Sequence, residues 1–258
     1  MIKNFVVVGS GKGGVGKSTV AVNLAVALAN FEKLKVGLLD ADIYGPSVHK
    51  MLGIKDKPSA SKNKKMLPYE KFLIKAMSIG NMIPEDKAVV WRGAMASSAI
   101  IQLLNDVEWG ELDFLIIDLP PGTGDIQLSL CQTLKISGAV IVSTPQEISL
   151  LDVRKAINMF QKVNVPILGT IQNMSFIEIN NKKSYLFGKD GVIQESKKQK
   201  LNFLAEIPIF HEIPISGDTG VPLTSTKNSC LDEVFKKIAK DLLKSIEKNK
   251  NLDIEINN

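Results

Sequence analysis

Short runs of consecutive apolar residues alternate along the chain with longer stretches whose apolar positions recur at helical spacing. The runs cover residues 5–8, 36–39, 72–77, 114–117, 139–142 and 167–171, and several are rich in β-branched side chains. A strand with one wet face alternates polar and apolar positions. A strand that is apolar at successive positions is covered on both faces, as in a parallel sheet between two layers of helix. Helical spacing predicts helices over residues 17–30, 94–105, 126–134 and 149–162. The alternation predicts right-handed βαβ crossovers and an α/β fold: a doubly wound, mostly parallel sheet with helices on both faces.

Two stretches break the pattern. Residues 55–71 and 178–200 are polar and Lys-rich and read as surface excursions, too short to be separate domains. A last helix is predicted from near Leu231, where Leu231, Val234, Phe235, Ile238, Leu242 and Ile246 form one apolar stripe. Lys and acidic residues balance over that segment, so a helix docked on the sheet fits better than a membrane-surface anchor, which wants a basic polar face. Residues 1–250 are read as one nucleotide-binding domain and 251–258 as a C-terminal tail.

Composition narrows the function classes. Of 258 residues, 45% are hydrophobic and 23% charged, an ordinary globular balance. The net charge is +5, but Arg92 and Arg154 are the only arginines among 32 basic residues. Arginine is the usual bidentate reader of guanine, so sequence-specific nucleic-acid recognition is not expected. Cys131 and Cys230 are too few for a disulfide framework or a four-thiolate site within one chain. No run is long enough for a membrane span, and the start lacks the pattern of a signal peptide. The expectation is a reduced, cytoplasmic protein with no membrane partner.

The sharpest motif follows the first run. Gly11-Lys12-Gly13-Gly14-Val15-Gly16-Lys17-Ser18 fits G-x-x-x-x-G-K-[ST] between a predicted strand and a predicted helix, the context that gives this phosphate loop its meaning. Its backbone N–H groups curl toward phosphate oxygens, and the helix N-terminus adds partial positive charge. Lys17 is expected to reach the β- and γ-phosphates, Ser18 to ligate Mg²⁺ and Thr19 to contact the α-phosphate. The second lysine of the loop, Lys12, is either a solvated charge or a cation that crosses a dimer interface.

Carboxylates complete the pattern. Asp118 ends the run 114–117 and is expected to hold Mg²⁺ through water. Pro120-Pro121-Gly122-Thr123-Gly124 follows as a loop suited to sensing a γ-phosphate. Asp40 and Asp42 end the run 36–39, where one carboxylate near Mg²⁺ and one near the attacking water would divide the work. Taken singly, each would more often be a cap or turn former.

The chain resembles the MinD/ParA/Mrp ATPases with their deviant phosphate loop, and within them the Mrp/ApbC branch of iron–sulfur cluster carriers. The resemblance rests on the loop through Thr19, on Leu39-Asp40-Ala41-Asp42-Ile43-Tyr44-Gly45-Pro46-Ser47, on Trp91-Arg92-Gly93, and on residues 113–125. It continues through Ser143-Thr144-Pro145-Gln146-Glu147, Asn173-Met174-Ser175 and Gly217-Asp218. It implies slow ATP hydrolysis at a face-to-face homodimer interface, with Lys12 reaching across. Asp42 would position the water, and Asp40 and Asp118 would hold the Mg²⁺ shell. Asn173 would contact adenine, and backbone near Pro208 would close the base pocket. The implied cargo is a [4Fe-4S] cluster, and the implied partners are apo-protein clients.

The residues depart from that family in two places. Many members carry a small domain ahead of the phosphate loop, whereas this chain starts at its first strand. Cluster-binding members carry Cys-x-x-Cys shortly after Asn-Met-Ser, whereas residues 176–185 here hold no cysteine. Direct cluster binding is therefore not expected from that stretch, and the cluster ligands are unassigned. Cys131 lies in an apolar helical pattern, and Cys230 opens the last helix pattern. A positioning ATPase of the ParA or MinD kind, acting on DNA or membrane, fits the phosphate loop equally well.

Overall fold

The structure, a computed structural model, describes residues 1–82, 93–226 and 228–256; for 93–94 and 251–256 only the backbone is described. The elements run β1 (Ile2–Gly9), α1 (Lys17–Phe31), β2 (Val36–Asp40), α2 (Val48–Met51), β3 (Tyr69–Lys71), β4 (Ile74–Ser78), α3 (Gly93–Asp106), β5 (Leu112–Asp118) and α4 (Asp125–Thr133). They continue as β6 (Gly138–Ser143), α5 (Glu147–Lys162), β7 (Ile167–Gln172), β8 (Ile177–Ile179), β9 (Lys182–Ser184), α6 (Gly191–Lys198), β10 (Phe203–Glu206), α7 (Glu212–Thr219) and α8 (Asp232–Ile256). Eight strands form one sheet in the order β10-β7-β6-β1-β5-β2-β4-β3, parallel except for the edge strand β3.

The apolar runs are explained by cover on both faces. Along β1, Val6 and Val8 point into one core and Val7 into the other. Along β5, Phe114 and Ile116 join the first core, and Leu115 and Ile117 the second. The first core is closed by α1 and α8, the second by α3, α4 and α5. The stripe predicted for the last helix is committed there: Leu231, Phe235, Ile238, Leu242 and Ile246 are buried in the first core, and Val234 packs partly buried against it. The helix continues through Ile256, beyond the boundary drawn at residue 250. Among the described residues no helix is long and apolar enough to cross a membrane.

One predicted strand is corrected. The run 72–77 is not extended throughout. Phe72 and Leu73 take positive φ (50° and 64°) and turn the chain between β3 and β4. Leu73 is 73% exposed, so its apolar character reflects no core position. The two polar excursions also carry short elements. The first ends in β3, and the second holds the β8–β9 hairpin and α6.

Register places the site. Val8 of β1 pairs with Asp118 of β5, and Asp118 pairs with Asp40 of β2. Three adjacent parallel strands therefore end together, and their carboxyl ends deliver the phosphate loop and two carboxylates to one edge. The chain leaves β1 toward β2 on one side, and leaves β5 toward β6 on the other. The reversal opens a crevice at that edge, where open α/β sheets bind ligands.

Candidate functional site

The loop after β1 lines a cavity of about 240 Å³ together with the loop after β2. Ser10, Lys12, Gly13, Gly14, Gly16, Lys17, Ser18 and Thr19 form one wall; Asp42, Gly45, Ser47 and Met51 face them, and Pro121 closes a side. Two glycines are required by their surroundings. Gly16 has φ +80°, and a Cβ there would sit 2.2 Å from the Asn173 amide nitrogen. A Cβ on Gly11 would lie 2.3 Å from the Asp152 backbone, so the loop runs flush against α5.

Lys17 opens α1 and is buried. Its Nζ donates to Asp118 Oδ1 at 2.6 Å and to Ser18 Oγ at 3.2 Å, and lies 3.4 Å from Asp42 Oδ2. Burial pulls its pKa down, but Asp118 and Asp42 outweigh burial and hold the ammonium above its ordinary value. Burial pushes the Asp118 carboxyl up, against the pull of Lys17. Asp40 is pushed up to about 7, by burial first and by nearby Asp118 second. Three carboxylates around one ammonium leave an excess of two negative charges (−3 + 1) at full ionisation. Asp118 Oδ2 and Asp42 Oδ1 are buried and have no hydrogen-bond partner. Buried orphan oxygens and excess negative charge at a phosphate loop suit a hard divalent cation, and Mg²⁺ typically takes one or two carboxylates plus phosphate oxygens.

Asp40 is fully buried and does more than end a strand. Its Oδ1 accepts the Asp42 N–H, and its Oδ2 accepts the Ser47 and Val48 N–H groups and the Ser78 hydroxyl. The turn-former reading considered for an isolated aspartate thus applies to Asp40, in the service of the loop that carries Asp42. The loop after β5 is fixed by a residue that sequence reading missed. Buried Gln127, on α4, donates from Nε2 to the carbonyls of Pro120 (2.8 Å), Gly122 (3.3 Å) and Pro121 (3.4 Å). Gly122 N–H in turn donates to the Ser10 carbonyl.

Asn173, at the end of β7, reaches the phosphate loop and donates from Nδ2 to the Val15 carbonyl at 2.8 Å. Pro208 follows Ile207, whose N–H bonds to Gln172 and whose carbonyl accepts from Ser175, so this backbone is tied to the same strand end. Lys12 is half-buried on the cavity wall. Trp91 and Arg92 lie outside the described residues.

The stretch expected to differ from cluster-binding relatives is a hairpin. Asn180 and Asn181 both have positive φ and form its two-residue turn. Asn-Asn between short alternating segments is the signal that could have found it. Phe176 packs edge-on to Tyr185 at 6.1 Å, and Lys183 Nζ lies 3.9 Å from the Phe176 ring centre. Neither cysteine is near this arrangement in sequence, and both are free. Cys131 is buried and its thiol is pushed up to about 11 by burial. Cys230 is exposed; burial of its sulfur and nearby Glu212 raise its pKa. Among the described residues no three His, Cys, Asp or Glu side chains converge on a metal site.

A family profile described as ParA: NUBPL iron-transfer P-loop NTPase matches residues 1–243. The chain is 47% identical to an iron–sulfur protein required for NADH dehydrogenase from Arabidopsis thaliana, over 99% of this chain and 83% of that one. It is 46% identical to an iron–sulfur cluster carrier protein from Aquifex aeolicus, over 95% and 69% respectively. Among solved structures it is similar to a nucleotide-binding protein from Archaeoglobus fulgidus in complex with ADP, with TM-score 0.74, 41% identity and coverage of 85% and 87%. The MinD cell division ATPase of Pyrococcus furiosus shares the fold at 22% identity, with TM-score 0.69 and coverage of 93% and 98%.

Proposed function

Because the chain belongs to the NUBPL iron-transfer family of ParA-type P-loop NTPases, we propose that it is a slow, Mg²⁺-dependent ATPase whose nucleotide cycle serves delivery of iron–sulfur clusters to apo-proteins in the cytoplasm. The observation that carries the reading is Lys17, buried in the phosphate loop and bound to Asp118 and Asp42 at once. The loop 11–19 takes the phosphates, and Lys17 exchanges its carboxylate partners for phosphate oxygens. That exchange releases Asp42 to orient the attacking water. Ser18 and Asp118 would hold Mg²⁺, and Asp40 Oδ1, which accepts a single N–H, has a lone pair left with which it would support the ion's surroundings. The ion supplies charge neutralisation on the transferring phosphate. Two copies meet across this cavity, with Lys12 directed at the partner's phosphates. Asn173 and the backbone at Pro208 flank the base.

The residues of this chain do not fit a resident [4Fe-4S] group. Such a cluster takes four thiolates, and the one accessible thiol per chain, Cys230, gives a dimer two. In this reading the nucleotide cycle serves cluster delivery without a cluster held on the chain's own thiolates, and the chain's residues perform the nucleotide chemistry. A membrane-positioning role is disfavoured by α8, whose apolar stripe is buried against the sheet.

Asp42→Ala tests the assignment. ATP binding, measured by calorimetry, is expected to stay within about threefold, while turnover falls at least about a hundredfold, in the range seen when a group acting only in the transition state is removed. Unchanged turnover would remove Asp42 from the mechanism.

A further inference from the structure

Asp42 is not held by its own strand. β2 ends at Asp40, and the five residues after Asp42, 43–47, lead to α2, which begins at Val48. Besides local backbone bonds such as Gly45 N–H to the Asp42 carbonyl, this loop is held by the Asp40 side chain, which binds the backbone N–H at its beginning (Asp42, 3.1 Å) and at its end (Ser47, 3.1 Å; Val48, 3.0 Å). Asp40 is in turn fixed from the neighbouring strand. Ser78 is its register partner at the end of β4, and Ser78 Oγ donates to Asp40 Oδ2 at 2.8 Å.

The hydroxyl has one hydrogen, and it is directed at Asp40. Its two lone pairs are taken by the Gly80 N–H at 3.0 Å and by His49 Nδ1 at 3.3 Å, so the ring nitrogen facing it is the protonated one. His49 belongs to α2, the helix whose first N–H also lands on Asp40. Its ring is seated on Gly80 so closely that a Cβ there would lie 2.3 Å from Cε1. Ser78, His49 and Asp40 are all buried. The ends of β2 and β4 and the start of α2 are thus joined through one hydroxyl, and the loop they join carries the carboxylate that faces Lys17.

We propose that Ser78 and His49 are positioning residues for hydrolysis: they fix Asp40, and Asp40 fixes the backbone that aims Asp42. Neither touches the cavity, and both act through Asp40. The proposal rests on the hydrolytic reading above, so its test has one arm that does not need turnover.

That arm is amide hydrogen exchange in Ser78→Ala without nucleotide. The Asp42, Ser47 and Val48 amides are expected to exchange about tenfold faster than in the wild type, the loss corresponding to one hydrogen bond to a charged group. The second arm is kinetics. kcat is expected to fall about tenfold with ATP affinity within about twofold, whereas general loosening would weaken both. Gly80→Ala leaves the hydroxyl in place but displaces the His49 ring. It is expected to give the same pattern to a smaller degree, and it decides the matter if Ser78→Ala does not fold. Wild-type exchange rates at the three amides in the folded variant, or an unchanged kcat, overturn the proposal. A wild type without turnover defeats the hydrolytic reading alone, because the exchange arm still reports on the hydrogen bonds from Asp40 to the loop.

Discussion

The phosphate loop and the β8–β9 hairpin are built on opposite principles. In the first, charge is concentrated and buried. Lys17 is sealed among Asp40, Asp42 and Asp118, two carboxylate oxygens lack partners, and the backbone tolerates no Cβ at Gly11 or Gly16. In the second, charge is spread on the surface. Lys183 lies over Phe176, the turn is two asparagines, and no thiolate is present. The first arrangement stores interactions that a ligand would redeem by exchange. The second is satisfied as it stands and asks for no metal. The difference teaches that the buried, unsatisfied chemistry of this chain is gathered in the phosphate-loop region, while the hairpin after β7 offers no thiolate.

Two lysine substitutions sharpen that comparison, and they differ most in effect. Lys17→Ala removes the cation that, among the described residues, pairs with both Asp118 and Asp42, and is expected to weaken ATP binding at least about a hundredfold, through loss of charge-assisted contacts to phosphate. Lys183→Ala is expected to leave nucleotide affinity unchanged and to lower the melting temperature by about 2 °C, as for a surface cation–π contact. Calorimetric titration and thermal denaturation of both variants check this. Equal loss of binding in the two would erase the distinction.

A smaller effect concerns the link between the regions. Arg154 of α5, the helix that supports the phosphate loop, binds Glu195 of α6, the helix after the hairpin, through Nε at 3.0 Å and Nη2 at 2.8 Å. The Arg154 hydrogen bonds hold the Glu195 carboxyl below its ordinary value of 4.5, against burial. A depressed carboxyl adds stability that is full above the unfolded value and is lost as pH falls through the folded one. The wild type is therefore expected to exceed Glu195→Gln by no more than about 1 kcal/mol near neutral pH, because the Arg154 end of the pair is partly open to solvent although Glu195 is buried. The gap should close below pH 4.5. A gap independent of pH in denaturant titrations would remove Glu195 ionisation as its cause.

The nucleotide site was legible because its chemistry is local. Gly11 to Thr19 is one unbroken segment, and Asp118 is marked by the apolar run that it ends. The layout of the sheet was legible too, since cover on both faces leaves successive apolar residues. The failures have physical causes. Phe72 and Leu73 are apolar yet form a turn, and periodicity cannot see positive φ. β10 is short and was hidden after a polar excursion. Ser78 meets Asp40 only through the register of β2 with β4, 38 residues apart. Gln127 looks like any helical glutamine until α4 is placed beneath the loop it holds.

The central claim is that this chain binds nucleotide at its phosphate loop and has no thiolate set for a resident cluster. Anaerobic reconstitution with iron and sulfide, followed by desalting and analysis of iron per dimer alongside Mg²⁺–ATP binding, tests it most directly. ATP is expected to bind and iron to remain well below one per dimer. A stable dimer retaining about four irons and four sulfides, as one [4Fe-4S] cluster requires, would contradict it.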